Sequence, residues 1–154
     1  MNRIVTVIII CAFVLSSAVL AIMGTEIYKM STETEASRAV CDTSAYFTDI
    51  IRECEDTSSA RTASIGGKIP ALVLRADTED NGDEVWYFVY EGNLKKLITG
   101  EGQTVSPEEG IDIMPLAYAD FVFITDELLD ISYKMNSGED GSVKLYLPGR
   151  KGDQ

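Results

Sequence analysis

The chain has 154 residues, with 25 acidic side chains against 13 basic ones, a net charge of −12 and no histidine. That charge argues against nucleic acid or an anionic lipid surface as the main partner, because phosphate binding needs clustered Lys and Arg. The lack of histidine excludes Ser-His-Asp and Cys-His catalysis and most zinc chemistry.

Ile4 to Gly24 is uncharged, free of proline and apolar except for Thr6, Ser16 and Ser17. As a helix at about 1.5 Å per residue it reaches about 31 Å, the thickness of a bilayer's hydrocarbon core. A secretion signal competes with a retained span for this stretch. A signal's apolar core is usually about 7–15 residues and follows several positive charges. Here the run is longer and only Arg3 precedes it, although Val19-Leu20-Ala21 could serve as a cleavage tripeptide. Length favours the span, so residues 1–24 are read as a transmembrane helix. Arg3 marks the cytoplasmic flank, whereas Glu26, Lys29, Glu33 and Glu35 follow on the other side. The expected localisation is the cell membrane, single-pass, with the N-terminus cytoplasmic and residues 25–154 outside. That outer part holds every acid and every base except Arg3, and its length suits one domain with a modest core.

No proline or glycine interrupts Thr25 to Cys54, and apolar residues recur there near helical spacing. Ile27, Met30, Ala36, Val40, Phe47, Ile51 and Cys54 form the stripe, with Tyr46 and Ile50 on its flank. Ser31 to Ser37 is polar all round, but joined to the apolar run it needs no new helix nucleus. Residues 25–54 are therefore expected to be an amphipathic helical stalk continuing the span. Cys11 reads as a small apolar residue within the span. On one helix, Cys41 and Cys54 would stand about 20 Å apart, beyond disulfide reach. They read as free, packed thiols, with an intermolecular bridge as the alternative.

Residues 55–148 are expected to form an antiparallel β-sheet domain, and 149–154 a flexible tail. Glu55 to Lys68 reads as a loop ending at Gly66-Gly67. Ala71–Arg75, Val85–Tyr90 and Leu94–Thr99 read as a three-stranded meander, with Asn81-Gly82 as a hairpin signal. Gly100 to Gly110 reads as an open loop, and Pro115 leaves Ile111 to Ala119 ambiguous. Phe121–Ile124, Leu128–Lys134 and Ser142–Leu147 read as strands, the last two as a hairpin around Ser137 to Gly141. A striped helix needs a surface and a one-faced sheet needs a cover. The expectation is an α+β fold, with the long helix packed on a small antiparallel sheet of about six strands.

Asp77-Thr78-Glu79-Asp80-Asn81-Gly82 has the opening spacing of a calcium loop, but Phe88 stands where the bidentate Glu belongs. The stretch reads as a solvated acidic turn, with a weak Ca²⁺ site at Asp77, Glu79 and Asn81 as the alternative. Gly100-Glu101-Gly102 fails the dinucleotide fingerprint because Val105 replaces its third glycine. Asp126-Glu127 and Glu108-Glu109 read as solvated faces rather than acid/base pairs. Trp86, Tyr87, Tyr90, Tyr118, Tyr133 and Tyr146 read as sheet packing, with a stacking platform as the alternative. No catalytic, cofactor-binding or metal residue is assigned.

On Arg38-Ala39, Tyr46, Ile50-Ile51-Arg52, Ile69 to Leu74, Val85 to Leu94 and Leu128 to Ile131, the chain resembles type IV pilins and pseudopilins. It is most similar to minor-pilin-like, single-span exported proteins of Gram-positive bacteria. No Gly precedes its apolar run, no acid lies within the run, and Glu26 stands at the far end. The resemblance accordingly implies a membrane-resident accessory or tip-like role rather than a major filament subunit. It implies a non-enzymatic component of a type IV pilus or type II secretion-like envelope assembly, meeting other pilin-like subunits through its N-terminal helix. Ala12, Ser16, Ser17, Ala18 and Ala21 would allow close helix approach in lipid. A membrane-tethered extracellular ligand-binding or sensor domain is the alternative, and an exported hydrolase using carboxylates is a third.

Overall fold

The computed structural model describes residues 35, 37–54, 56–75 and 82–149. It divides into two compact units, 1–39 and 40–154. Of the first unit, residues 35 and 37–39 are described, and they are helical. The expected span, the stalk residues Ile27, Met30 and Ala36, the Asp77–Asn81 turn and residues 150–154 lie outside the described residues. Among the described residues no helix is long and apolar enough to cross a membrane.

The second unit is α+β. Residues 40–53 form helix α1, and Asp56 then caps a 3-10 turn, Thr57–Ser59, by accepting the Ser58 amide at 2.9 Å. Strands β1 (Arg61–Ile65), β2 (Ile69–Arg75), β3 (Asp83–Tyr90), β4 (Asn93–Gly100) and β5 (Ile111–Pro115) make a five-stranded antiparallel sheet in chain order. Strands β6 (Tyr118–Thr125), β7 (Leu128–Lys134) and β8 (Asp140–Tyr146) make a separate three-stranded antiparallel sheet. The expected meander is β2-β3-β4, and the expected late hairpin is β7-β8.

The structure corrects the expected single sheet of six strands to eight strands in two sheets. The two extra strands are both edges of the larger sheet. β1, Arg-Thr-Ala-Ser-Ile, lies inside the stretch expected to be a loop, and it is defined by its pairing with β2 rather than by propensity. Gly66 and Gly67, at φ 59° and 69°, form the tight hairpin turn between the two. β5 ends at Pro115, a position an edge strand tolerates because that amide is not needed by a further neighbour. The Gly100–Gly110 stretch is also less open than expected. It holds a 3-10 turn, Pro107–Glu109, and packs Val105 against the outer face of the five-stranded sheet. A side chain at Gly110 would meet Lys95 at 2.9 Å and Phe88 at 3.0 Å, so the close approach needs glycine there.

One core joins α1 to the inner faces of both sheets. Phe47, Ile50 and Ile51 from α1 meet Leu72, Leu74, Tyr87 and Leu94 from the larger sheet. From the smaller sheet come Phe121, Leu129, Ile131, Tyr133 and Leu145. Thr43 completes the stripe at four-residue steps with Phe47 and Ile51; it is buried, with its hydroxyl toward the sulfurs of Met114 and Met135. Phe47 packs edge-on against Phe121 at 6.1 Å and tilted against Tyr133 at 5.8 Å. Tyr133 donates its hydroxyl to the Val40 carbonyl at 2.7 Å and meets the Ser44 hydroxyl at 2.5 Å. Its cross-strand partner is Gly141, where any β-carbon would overlap the tyrosine ring.

Two stability outcomes are expected from urea unfolding. Tyr133→Phe keeps the ring but loses both hydrogen bonds, for a cost of about 1–2 kcal/mol. Gly141→Ala overpacks the same spot at about 1–3 kcal/mol, and that cost shrinks in a Tyr133→Val background because the two residues share one space.

Candidate functional site

Between the C-terminal half of α1 and strand β8 runs an open groove of about 520 Å³. Thr48, Ile51 and Arg52 line it from the helix, and Lys144 and Tyr146 line it from the strand. One end is closed by Thr57, whose hydroxyl donates to the Pro148 carbonyl at 2.9 Å. The groove is positive at its rim, in contrast to the charge of the chain as a whole. Tyr146 donates its hydroxyl to Glu127 at 2.7 Å, and this bond pushes the phenol above its ordinary range.

A second, smaller cavity of about 80 Å³ is lined by Ser59, Arg75, Gly82, Glu84 and Glu101. Beside it, Arg61 grips both oxygens of Glu84 at 2.8 and 3.0 Å and lies 5.3 Å from the centre of the Trp86 ring. The Trp86 indole N–H donates to the same carboxylate at 3.2 Å. Charge, cation–π contact and hydrogen bond are satisfied within this trio, so it holds β1 to β3 across β2 and leaves little free polarity for a ligand.

The residues singled out in the sequence are dispersed by the fold. Glu108 and Glu109 sit on the 3-10 turn before β5, while Asp126 and Glu127 make the β6–β7 turn. Asp77, Glu79 and Asn81 lie outside the described residues. Among the described residues no group of three or more Cys, Asp or Glu could hold a metal. The aromatic residues do not share a platform. Trp86 belongs to the outer-face cluster of the larger sheet, Tyr87 and Tyr133 to the central core, while Tyr118 and Tyr146 are exposed. Cys41 is a free thiol but exposed rather than packed, and Cys54 is half-buried with its thiol toward the Asp56 carbonyl at 3.4 Å. The sequence alone does not mark Arg52 and Lys144 as residues of one site. The available signal was two bases, one near the helix C-terminus and one in the last strand, in a strongly acidic chain.

The sequence model of a family described as Domain of unknown function (DUF4860) matches residues 39–136, and the chain belongs to that family. No curated protein and no solved structure matches the chain. The matched stretch spans α1, the whole five-stranded sheet, β6 and β7, whereas β8 lies beyond it. The helix side of the groove thus falls inside the family match and the strand side outside it.

Burial raises the pKa of Tyr46 and Tyr87, with Glu53 adding to the effect at both. A phenol whose folded pKa lies above its unfolded value supports the fold below about pH 10 and stops doing so as pH rises through the folded value. Stability measured by denaturant midpoint should therefore fall above about pH 10. Tyr87→Phe keeps the ring and is expected to flatten that decline, with Tyr46→Phe adding a smaller effect.

Proposed function

We propose that the protein is a non-enzymatic, pilin-like, membrane-anchored component of a type IV pilus or type II secretion-like envelope assembly. In this role its N-terminal apolar helix packs beside those of other pilin-like subunits, and its acidic head faces outward. The observation that carries the proposal is continuity of sequence. Ile4–Gly24 leads, with no proline or glycine from Thr25 to Cys54, into the residues of α1, whose apolar stripe is tied into the head by Phe47, Ile50 and Ile51. Lateral pull on such a helix would be met by a core rather than by a loop. The net charge of −12 suits a solvated outer surface.

The groove beside β8 favours a second reading, a membrane-tethered extracellular binding domain acting alone. The two part company in membranes. For the assembly component, the full-length chain should pellet with membranes, resist alkaline carbonate and dissolve only in detergent. Ala18→Cys in a Cys11→Ser, Cys41→Ser background should cross-link to another small single-span protein. A monodisperse monomer in mild detergent, with no cross-linked species from native membranes, would favour the tethered binder instead. A chain recovered from the soluble fraction without its first residues would remove both anchored readings.

A further inference from the structure

The edges of the two sheets are not equally protected. β5 is short, its pairing with β4 is bulged near Leu94, and it ends in Pro115. β6 lies against β2, with β1 and β3 beside it. The Phe121 amide on β6 is already taken by the Asp120 carboxylate at 3.0 Å. β8, seven residues long, has none of these devices. Its hydrogen-bonding direction follows from one contact. The Leu147 amide donates to Glu127 at 2.8 Å, so Leu147 faces β7, as do Gly141, Val143 and Leu145 by the alternation of an antiparallel ladder. Ser142, Lys144 and Tyr146 therefore send their backbone N–H and C=O groups the other way, and of these Lys144 and Tyr146 line the groove beside α1.

A row of outward-facing backbone groups next to an open groove is a template for one more strand. Charge says which kind. Among the described residues the ion pairs are Arg61–Glu84, Lys95–Asp112 and Lys134–Asp140. Arg52 and Lys144, on opposite walls of the groove, belong to none of them. Side chains of an added strand would alternate. Those on the inner face would meet Thr48, Ile51 and Arg52, and those on the outer face would lie beside Lys144 and Tyr146, which is 63% exposed. An acid placed across from Lys144 makes a favourable cross-strand pair, while a base there is repelled.

We propose that the free edge of β8, with its groove against α1, is a docking site for an extended acidic peptide segment of a partner protein, which adds to the smaller sheet as a fourth strand. This docking does not rest on the envelope-assembly reading, since a chain acting alone would bind in the same way.

The test titrates the full-length chain in detergent with a fluorescein-labelled, end-capped Glu-Val-Glu-Val-Glu-Val-Glu peptide, followed by anisotropy, with the Lys-for-Glu peptide as control. The acidic peptide should bind at least about tenfold tighter than the basic one. Lys144→Glu should weaken it by at least about tenfold, and Lys144→Arg should leave it nearly unchanged. Ser142→Pro removes an outward amide without touching the ladder to β7, so it should weaken binding while Tm holds. Should Ser142→Pro lower Tm, the same question passes to the peptide, where N-methylation of alternate residues must abolish binding. No binding, equal binding of the basic peptide, or acidic binding indifferent to both backbone blocks would overturn the proposal. So would a dimer of this chain that uses the β8 edge and excludes the peptide.

Discussion

A tyrosine and a glycine facing each other across two strands hold the described head together. Tyr133 stands on the middle strand of the smaller sheet, and its ring can lie toward the helix only because Gly141 opposite it has no side chain. From there the hydroxyl reaches both the Val40 carbonyl and Ser44, and the ring touches Phe47. Each of these contacts joins residues about ninety positions apart in sequence, so none survives unless the sheet and the helix are both formed. The hydrogen bonds are modest in energy, but they fix the angle and height at which α1 crosses the sheet, and packing at crystal-like density then does the rest.

Once α1 is seated, it serves two sheets. Phe47, Ile50 and Ile51 are buried against residues from both, so the helix is the common cover that keeps two small sheets in one core. The larger sheet has a second apolar face, with Phe88, Val73 and Trp86, and closes it with its own chain by folding the segment between β4 and β5 over it. The smaller sheet does not cover its outer face. Tyr118, Val122, Ile124 and Tyr146 remain exposed there, and its last strand keeps an open edge. The larger sheet also leaves Ile98 and Ile111 exposed, on its strands β4 and β5.

Electrostatics sharpen that asymmetry. Most of the acids among the described residues are exposed, and their mutual repulsion favours solubility and discourages self-association. Two of the bases are held elsewhere, Arg61 by Glu84 and Trp86, and the buried Lys95 by Asp112. Arg52 and Lys144 line a groove beside the open edge of β8. An acidic protein can in this way present a local basic seat, with specificity coming from the backbone edge and orientation from the charges. A head of this kind is compatible with the anchored assembly component proposed above, because α1's buried stripe ties the helix into the head while the β8 edge stays open.

The α1 stripe was legible because a helix buries residues at three- and four-residue steps, and Val40, Phe47 and Ile51 keep that period. The meander and the β7–β8 hairpin were legible because β-branched and aromatic runs alternate with glycine turns. β1 was not, since a short polar edge strand owes its form to a neighbour's hydrogen bonds rather than to its own side chains, and β5 was not because Pro115 closes a run too short to tell strand from loop. The groove was invisible for a related reason. Which of β8's amides point outward depends on register, and whether Arg52 and Lys144 line one groove depends on how α1 crosses the sheet. Local sequence determined composition, periodicity, turns and the family match. The division into two sheets, the exposed edge and the shared groove of two distant cations were decided only when contacts between remote residues chose one packing among several that the same local preferences allow.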